Sequence, residues 1–94
     1  MSTDANLVSI LIRTFNRPVT LAKAVDSALQ QTHRPLEIII VNDGGSAPDP
    51  ELENRANKQQ VKINVINLEV NQGRSNAANV ALKNAQGEAL LFLD

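Results

Sequence analysis

The side chains able to do chemistry fall into four short clusters. Each lies at the end of an apolar run or in the loop after it: Arg13-Thr14-Phe15-Asn16-Arg17, Asn42-Asp43-Gly44, Asn71-Gln72-Gly73 and Asp94. Together they offer guanidinium groups, a hydroxyl, a planar ring and carboxylates, which suit the binding of a polar ligand. Cysteine is absent and His33 is the single histidine. That excludes disulfides, thiolate zinc sites and cysteine nucleophiles, and removes most serine or metal hydrolase designs. Neither Gly-x-Gly-x-x-Gly nor a Walker loop follows the first apolar run, so a dinucleotide oxidoreductase lacks its usual phosphate cradle.

The elements that must position these clusters are legible from hydrophobic periodicity. Residues 7–12, LVSILI, are almost continuously apolar and β-branched, which suits a strand covered on both faces. Leu21, Ala24, Val25, Ala28 and Leu29 recur at helical spacing, and the pattern predicts a helix over 18–31. Pro18 fits its first turn, and Asn16 or Thr14 is expected to cap it. LEIIIV at 36–41 predicts a second buried strand interrupted only by Glu37. Asp49-Pro50-Glu51 gives a cap and start for a helix over 50–59, whose apolar stripe is only Leu52 and Ala56. Alternation of Val61, Ile63 and Val65 before Ile66 and Leu68 predicts a third strand near a sheet edge. Ala77, Ala78, Ala81, Leu82 and Ala85 form a third helical stripe, with Gly87 expected to end it in a left-handed cap before a fourth strand at 89–93.

The resulting βαβαβαβ order predicts an α/β fold of three layers, with a mainly parallel sheet, right-handed crossovers and strand order 3-2-1-4. Ligands of such sheets bind beyond the carboxyl ends of the strands, above all where the order reverses. Here that nominates residues 13–17 and Asp94, with Asn42 and Asp43 beside them.

The 94 residues suit one folding unit, and 43% hydrophobic with 2% aromatic content implies an aliphatic core rather than a disordered chain. Nine Lys plus Arg against ten Asp plus Glu supply no basic field for nucleic acid or anionic lipid. Residues 1–6 lack the charged start and apolar centre of a signal peptide, and no apolar run is long enough to span a bilayer, so the expectation is a cytoplasmic chain. Because the sequence stops where the fourth strand delivers its functional end, the expectation is a truncated domain of a larger protein, with an exposed sheet edge that favours homodimers.

The motifs resemble the amino-terminal nucleotide-binding half of a family 2 glycosyltransferase with the Rossmann-like GT-A fold, over nearly the whole chain. Residues 8–17, VSILIRTFNR, resemble the family's opening strand and its Pro-Thr-Tyr-Asn turn. SALQQT at 27–32 resembles its Ser-x-Leu-x-Gln-Thr helix end, and EIIIVNDG at 37–44 its Glu-Ile-Ile-Val-Val-Asp-Asp-Gly element. Asn71-Gln72-Gly73 opens a segment similar to Asn-x-Gly-x-x-x-Ala-Arg-Asn. Gly87-Glu88 and Leu91-Phe92-Leu93-Asp94 resemble the strand leading into the Asp-x-Asp motif. Each piece alone is weak; five in order at compatible spacing are specific.

This resemblance implies transfer of a sugar from a nucleotide diphosphate donor, commonly a UDP-sugar, to an acceptor hydroxyl with inversion, assisted by Mg or Mn. A hard divalent cation neutralises the leaving pyrophosphate and prefers carboxylate oxygens. Carried over, Asp43 accepts a hydrogen bond from the base, Thr14 and Phe15 line the base and ribose pocket, and Arg17 reaches the diphosphate. Asp94 matches the first acid of Asp-x-Asp, near ribose and metal. The second acid and the catalytic base would lie beyond residue 94, so the chain alone is expected to be inactive. Arg13 stands where proline is common, Asn42 replaces the first of two acids, Ala78 an arginine and Ala81 a frequent glycine. These departures bear on the donor more than on the fold.

Plainer roles stand beside these. Asp43 before Gly44 could simply stabilise a turn, Asn71 and Gly73 are read as turn-shaping, and His33 as a solvated loop residue. A non-catalytic nucleotide- or protein-binding module with the same fold is the alternative function.

Overall fold

In the computed structural model, residues 6–93 are described. The strands are β1 (Val8–Thr14), β2 (Leu36–Asp43), β3 (Lys62–Leu68) and β4 (Glu88–Leu93), and α1 (Pro18–Leu29), α2 (Glu51–Lys58) and α3 (Arg74–Asn84) connect them. All pairings are parallel and the order is β3-β2-β1-β4, as the sequence implies. β3 is an edge strand, which is why its residues alternate between exposed and half-buried while those of β2 are buried throughout.

Strand parity divides the core into two layers. Even-numbered Ile10, Ile12, Ile38 and Ile40 pack against Leu21, Val25, Ala28 and Leu29 of α1 and Leu52 and Ala56 of α2. Odd-numbered Leu11, Ile39 and Val41 pack against Ala77 and Ala81 of α3. Each buried Ile or Leu contributes roughly 1.5–3 kcal/mol relative to exposure, so the two central strands dominate stability. The small alanines let α3 lie close to the sheet.

Three details differ from the sequence reading. β1 and β2 each run two residues further, because Arg13 and Thr14 pair in register with Val41 and Asn42; the polar residues at the strand ends therefore belong to the sheet. Leu82 is 51% exposed, since α3 meets the sheet through the stripe of Ala77 and Ala81. Gly87 is not a left-handed cap: α3 ends at Asn84 with Ala85 extended, and positive-φ glycines are Gly44 and Gly73. Gly87 is required for another reason, because a side chain there would collide with the Leu7 carbonyl.

Candidate functional site

The carboxyl ends of β1 and β2 meet at a rim built by side-chain hydrogen bonds. Asp43 is completely buried. Its Oδ1 accepts the Gln72 N–H at 2.8 Å and its Oδ2 accepts the Gly73 N–H at 3.1 Å. Arg13 Nη2 donates to the same Oδ2 at 3.4 Å. Asn71 Oδ1 also accepts the Gly73 N–H, at 3.1 Å, and Gly73 has φ 95°, so the turn-shaping roles of Asn71 and Gly73 hold. Asp43 does stabilise a turn through its side chain, but the turn is the one before α3, 29 residues away. A carboxylate at that helix start also complements the positive end of the helix dipole.

Asn42 organises the turn that directly follows β2. Its Nδ2 donates to the carbonyls of Gly45 (2.9 Å) and Ser46 (3.0 Å) and to Asn67 Oδ1 (2.9 Å), while its Oδ1 accepts the Gly45 N–H at 3.0 Å. An aspartate could accept but not donate, so this network accounts for the amide where the family pattern has an acid. Asn16, with φ 53°, accepts the Ser46 N–H on Oδ1 at 2.8 Å and ties the β1–α1 loop to the β2–α2 loop. Neither Asn16 nor Thr14 caps α1: the cap position is Arg17, with no side-chain cap bond. Asp49 does serve the start of α2, its Oδ1 accepting the Glu51 N–H at 3.0 Å.

Gly44 sits at φ 91°, and an added Cβ would strike the backbone nitrogen of Asn71 and the carbonyl carbon of Val70. Backbone atoms cannot swing aside as a flexible side chain would. Gly44→Ala is therefore expected to cost about 2–3 kcal/mol, from the strained φ and the displaced 70–73 segment. Urea denaturation checks this; a loss below about 0.5 kcal/mol would show that the two loops are not in contact.

The residues that sequence reasoning gathered into one site separate by face. Thr14, in the even-numbered layer, and Arg17 line a cleft of about 430 Å³ between the β1–α1 and β2–α2 loops. Asp43 lies in the odd-numbered layer with the start of α3. Phe15, at the rim, is 37% exposed and lies outside the cleft wall. Asp94 lies outside the described residues. Among the described residues no group of three His, Cys, Asp or Glu could hold a metal ion, and Asp43 is already engaged by two amides and Arg13. The described residues therefore do not by themselves make a Mg or Mn site. Arg13 and Asn42, which topology nominated, act as organising residues, and Asn67 is one that the sequence reading did not assign to the site. Arg13 and Asn42 were conspicuous as polar residues at the ends of buried runs.

Residues 9–94 match the family model described as Glycosyl transferase family 2. The chain belongs to that family. Among its relatives, an uncharacterized glycosyltransferase of Bacillus subtilis, YwdF, is 40% identical over 87 residues, covering 93% of this chain and 31% of YwdF. The chain thus spans about a third of that relative's length. Among solved structures, S. aureus TarS superposes with TM-score 0.75 at 25% identity, over 92% of this chain and 16% of TarS. A Pyrobaculum calidifontis mannosyltransferase, solved with GDP-Man and Mn2+, gives TM-score 0.76 at 21% identity, over 92% of this chain and 26% of the enzyme. At that identity the second likeness shows the fold alone: a GT-A arrangement with the same four-stranded parallel order. Among the described residues no helix is long and apolar enough to cross a membrane.

Proposed function

We propose that this family 2 domain binds the nucleotide diphosphate sugar donor of a glycosyltransferase, with a uridine nucleotide as the donor carrier, and that transfer to an acceptor hydroxyl, with inversion, is carried out by the longer protein. The observation that carries this reading is the rim itself: in a family 2 chain, Asp43 holds the start of α3 at the carboxyl edge of the parallel sheet, and Phe15 follows the neighbouring strand β1 at the same edge. Phe15 supplies a partly exposed planar wall for a base, and Asp43 supplies the acceptor for its imide hydrogen. In the free chain Asp43 Oδ1 accepts the Gln72 amide and keeps a lone pair for the base, which reaches the buried carboxylate as the Gln72–Gly73 segment moves aside. The divalent cation is assigned to Asp94 together with acids of the longer protein.

Titrating UDP into the ¹⁵N-labelled chain, with and without Mg²⁺, tests this. The expected result is a saturable set of amide shifts at Phe15, Asp43, Gln72 and Gly73. If saturating UDP leaves those four amides in place under both conditions, the donor reading fails and the non-catalytic module becomes the better account.

A further inference from the structure

The cleft on the other face of the sheet has features that donor binding at the Asp43 rim does not use. Thr14 lines it, is 3% exposed, and makes no hydrogen bond through its hydroxyl to any described residue. Its hydroxyl oxygen keeps some accessible surface, so it can hydrogen-bond a ligand that enters the cleft. The helix that borders the cleft adds a second irregularity. α1 begins with Arg17 at its cap position, has no side-chain cap bond and no acid in its first turn. Its first intrahelical bond runs from Leu21 N–H to the Arg17 carbonyl at 2.9 Å, so the Val19 and Thr20 amides lack helical acceptors. Arg17 forms no ion pair among the described residues. A guanidinium on the positive end of a helix is unfavourable without an anion to offset both.

The remaining walls divide sharply in character. Leu21, Pro48 and Leu52 are apolar. The other charged side chains there are occupied: Arg55 donates to Asp26 at 3.0 Å, and Asp49 accepts the Glu51 amide at 3.0 Å. Of the two guanidinium groups that line the cleft, Arg17 is the one without an ion pair among the described residues, and it stands beside an apolar wall. A volume of about 430 Å³ is in the range of small-molecule sites.

We infer that this cleft is a second binding site, distinct from the donor rim, for a small organic oxyanion. Its phosphate or carboxylate head is held by Arg17, the Thr14 hydroxyl and the free α1 amides, and its apolar body lies against Leu21, Pro48 and Leu52. Guanidinium and backbone amides at a helix start form a standard oxyanion receptor, and Thr14 adds a hydroxyl donor from the cleft wall.

The test uses inorganic phosphate and phenyl phosphate as probes, titrated into the labelled chain at constant ionic strength with chloride as the control. Saturable shifts are expected at Thr14, Val19 and Thr20, with phenyl phosphate binding at least threefold tighter than phosphate because its ring covers the apolar wall. Arg17→Gln is expected to weaken phenyl phosphate at least fivefold. Thr14→Val keeps the side-chain shape, and should weaken it while leaving the spectrum outside the cleft unchanged. Equal shifts with chloride, or unaltered binding by Arg17→Gln, would overturn the inference. So would displacement of phenyl phosphate by UDP from the same amides, since the cleft would then be part of the donor site. The donor reading is judged separately, on Gln72 and Gly73.

Discussion

Asp43→Ala is expected to lower the stability of the chain by roughly 3–4 kcal/mol and to release the start of α3. The carboxylate is fully buried and holds two backbone amides and the Arg13 guanidinium. Truncation leaves the Gln72 amide without its acceptor and a guanidinium, largely buried at 17% exposure, without this carboxylate. Against a total of about 5–15 kcal/mol for a small domain, such a loss is large. Asp43→Asn separates charge from shape. Its carbonyl oxygen can still accept one amide, but its NH₂ group must face a second donor, so an intermediate loss of about 1.5–2 kcal/mol is expected. Urea midpoints give the energies, and hydrogen exchange at Gln72 and Gly73 locates them. Should both variants unfold with the wild-type midpoint, or should exchange quicken everywhere except at those amides, Asp43 would not be what anchors the segment. The rim is thus built before any ligand arrives.

The fold was legible because it rests on local patterns. Continuous β-branched runs at β1 and β2, an alternating β3 and short helical stripes suffice to give βαβαβαβ, and handedness then leaves few strand orders. The site was only half legible. Sequence identifies residues at strand ends, and Thr14, Phe15, Arg17 and Asp43 are all there. It does not say which side of the sheet each one serves, because a parallel sheet is apolar on both faces and carries no wet side to mark orientation. Parity supplies what composition cannot: Thr14 follows Ile10 and Ile12 toward α1 and α2, whereas Asp43 follows Ile39 and Val41 toward α3. The partners of Asp43 were illegible for a different reason. They are backbone amides 29 and 30 residues away, and an amide has no residue type to recognise. The exposed Leu82 shows the same limit from the helix side, since a stripe rich in alanine fits the sheet at more than one rotation.

Glu37→Ala is expected to destabilise the chain by about 3 kcal/mol or more, although in the sequence Glu37 only interrupts an apolar strand. Its side chain is 4% exposed, and Oε2 accepts the Ser9 hydroxyl at 2.6 Å and the Gln86 N–H at 2.8 Å. Ser9 Oγ in turn accepts the Gly87 N–H at 2.9 Å. One carboxylate therefore satisfies the chain as it leaves α3 and enters β4, and removing it strands part-buried donors that no water can easily reach. Glu37→Gln retains an acceptor oxygen in the same place and should cost less than half as much, whereas Glu37→Leu, which restores volume but no acceptor, should behave like alanine. A leucine variant as stable as wild type would show that packing, not hydrogen bonding, is what the position needs. The effect reaches the opposite end of the sheet. β4 pairs with β1 from Val8↔Glu88 to Arg13↔Leu93, about 17 Å at roughly 3.3 Å per residue. Fixing Gln86 and Gly87 at the start of that strand fixes which residue arrives beside Arg13 at the Asp43 rim. On the proposed donor reading, the folded fraction of Glu37→Ala should therefore show weaker UDP-dependent amide shifts at Gln72 and Gly73 and Glu37→Gln should retain them, while Arg17 and Thr14 on the other face respond unchanged to phenyl phosphate.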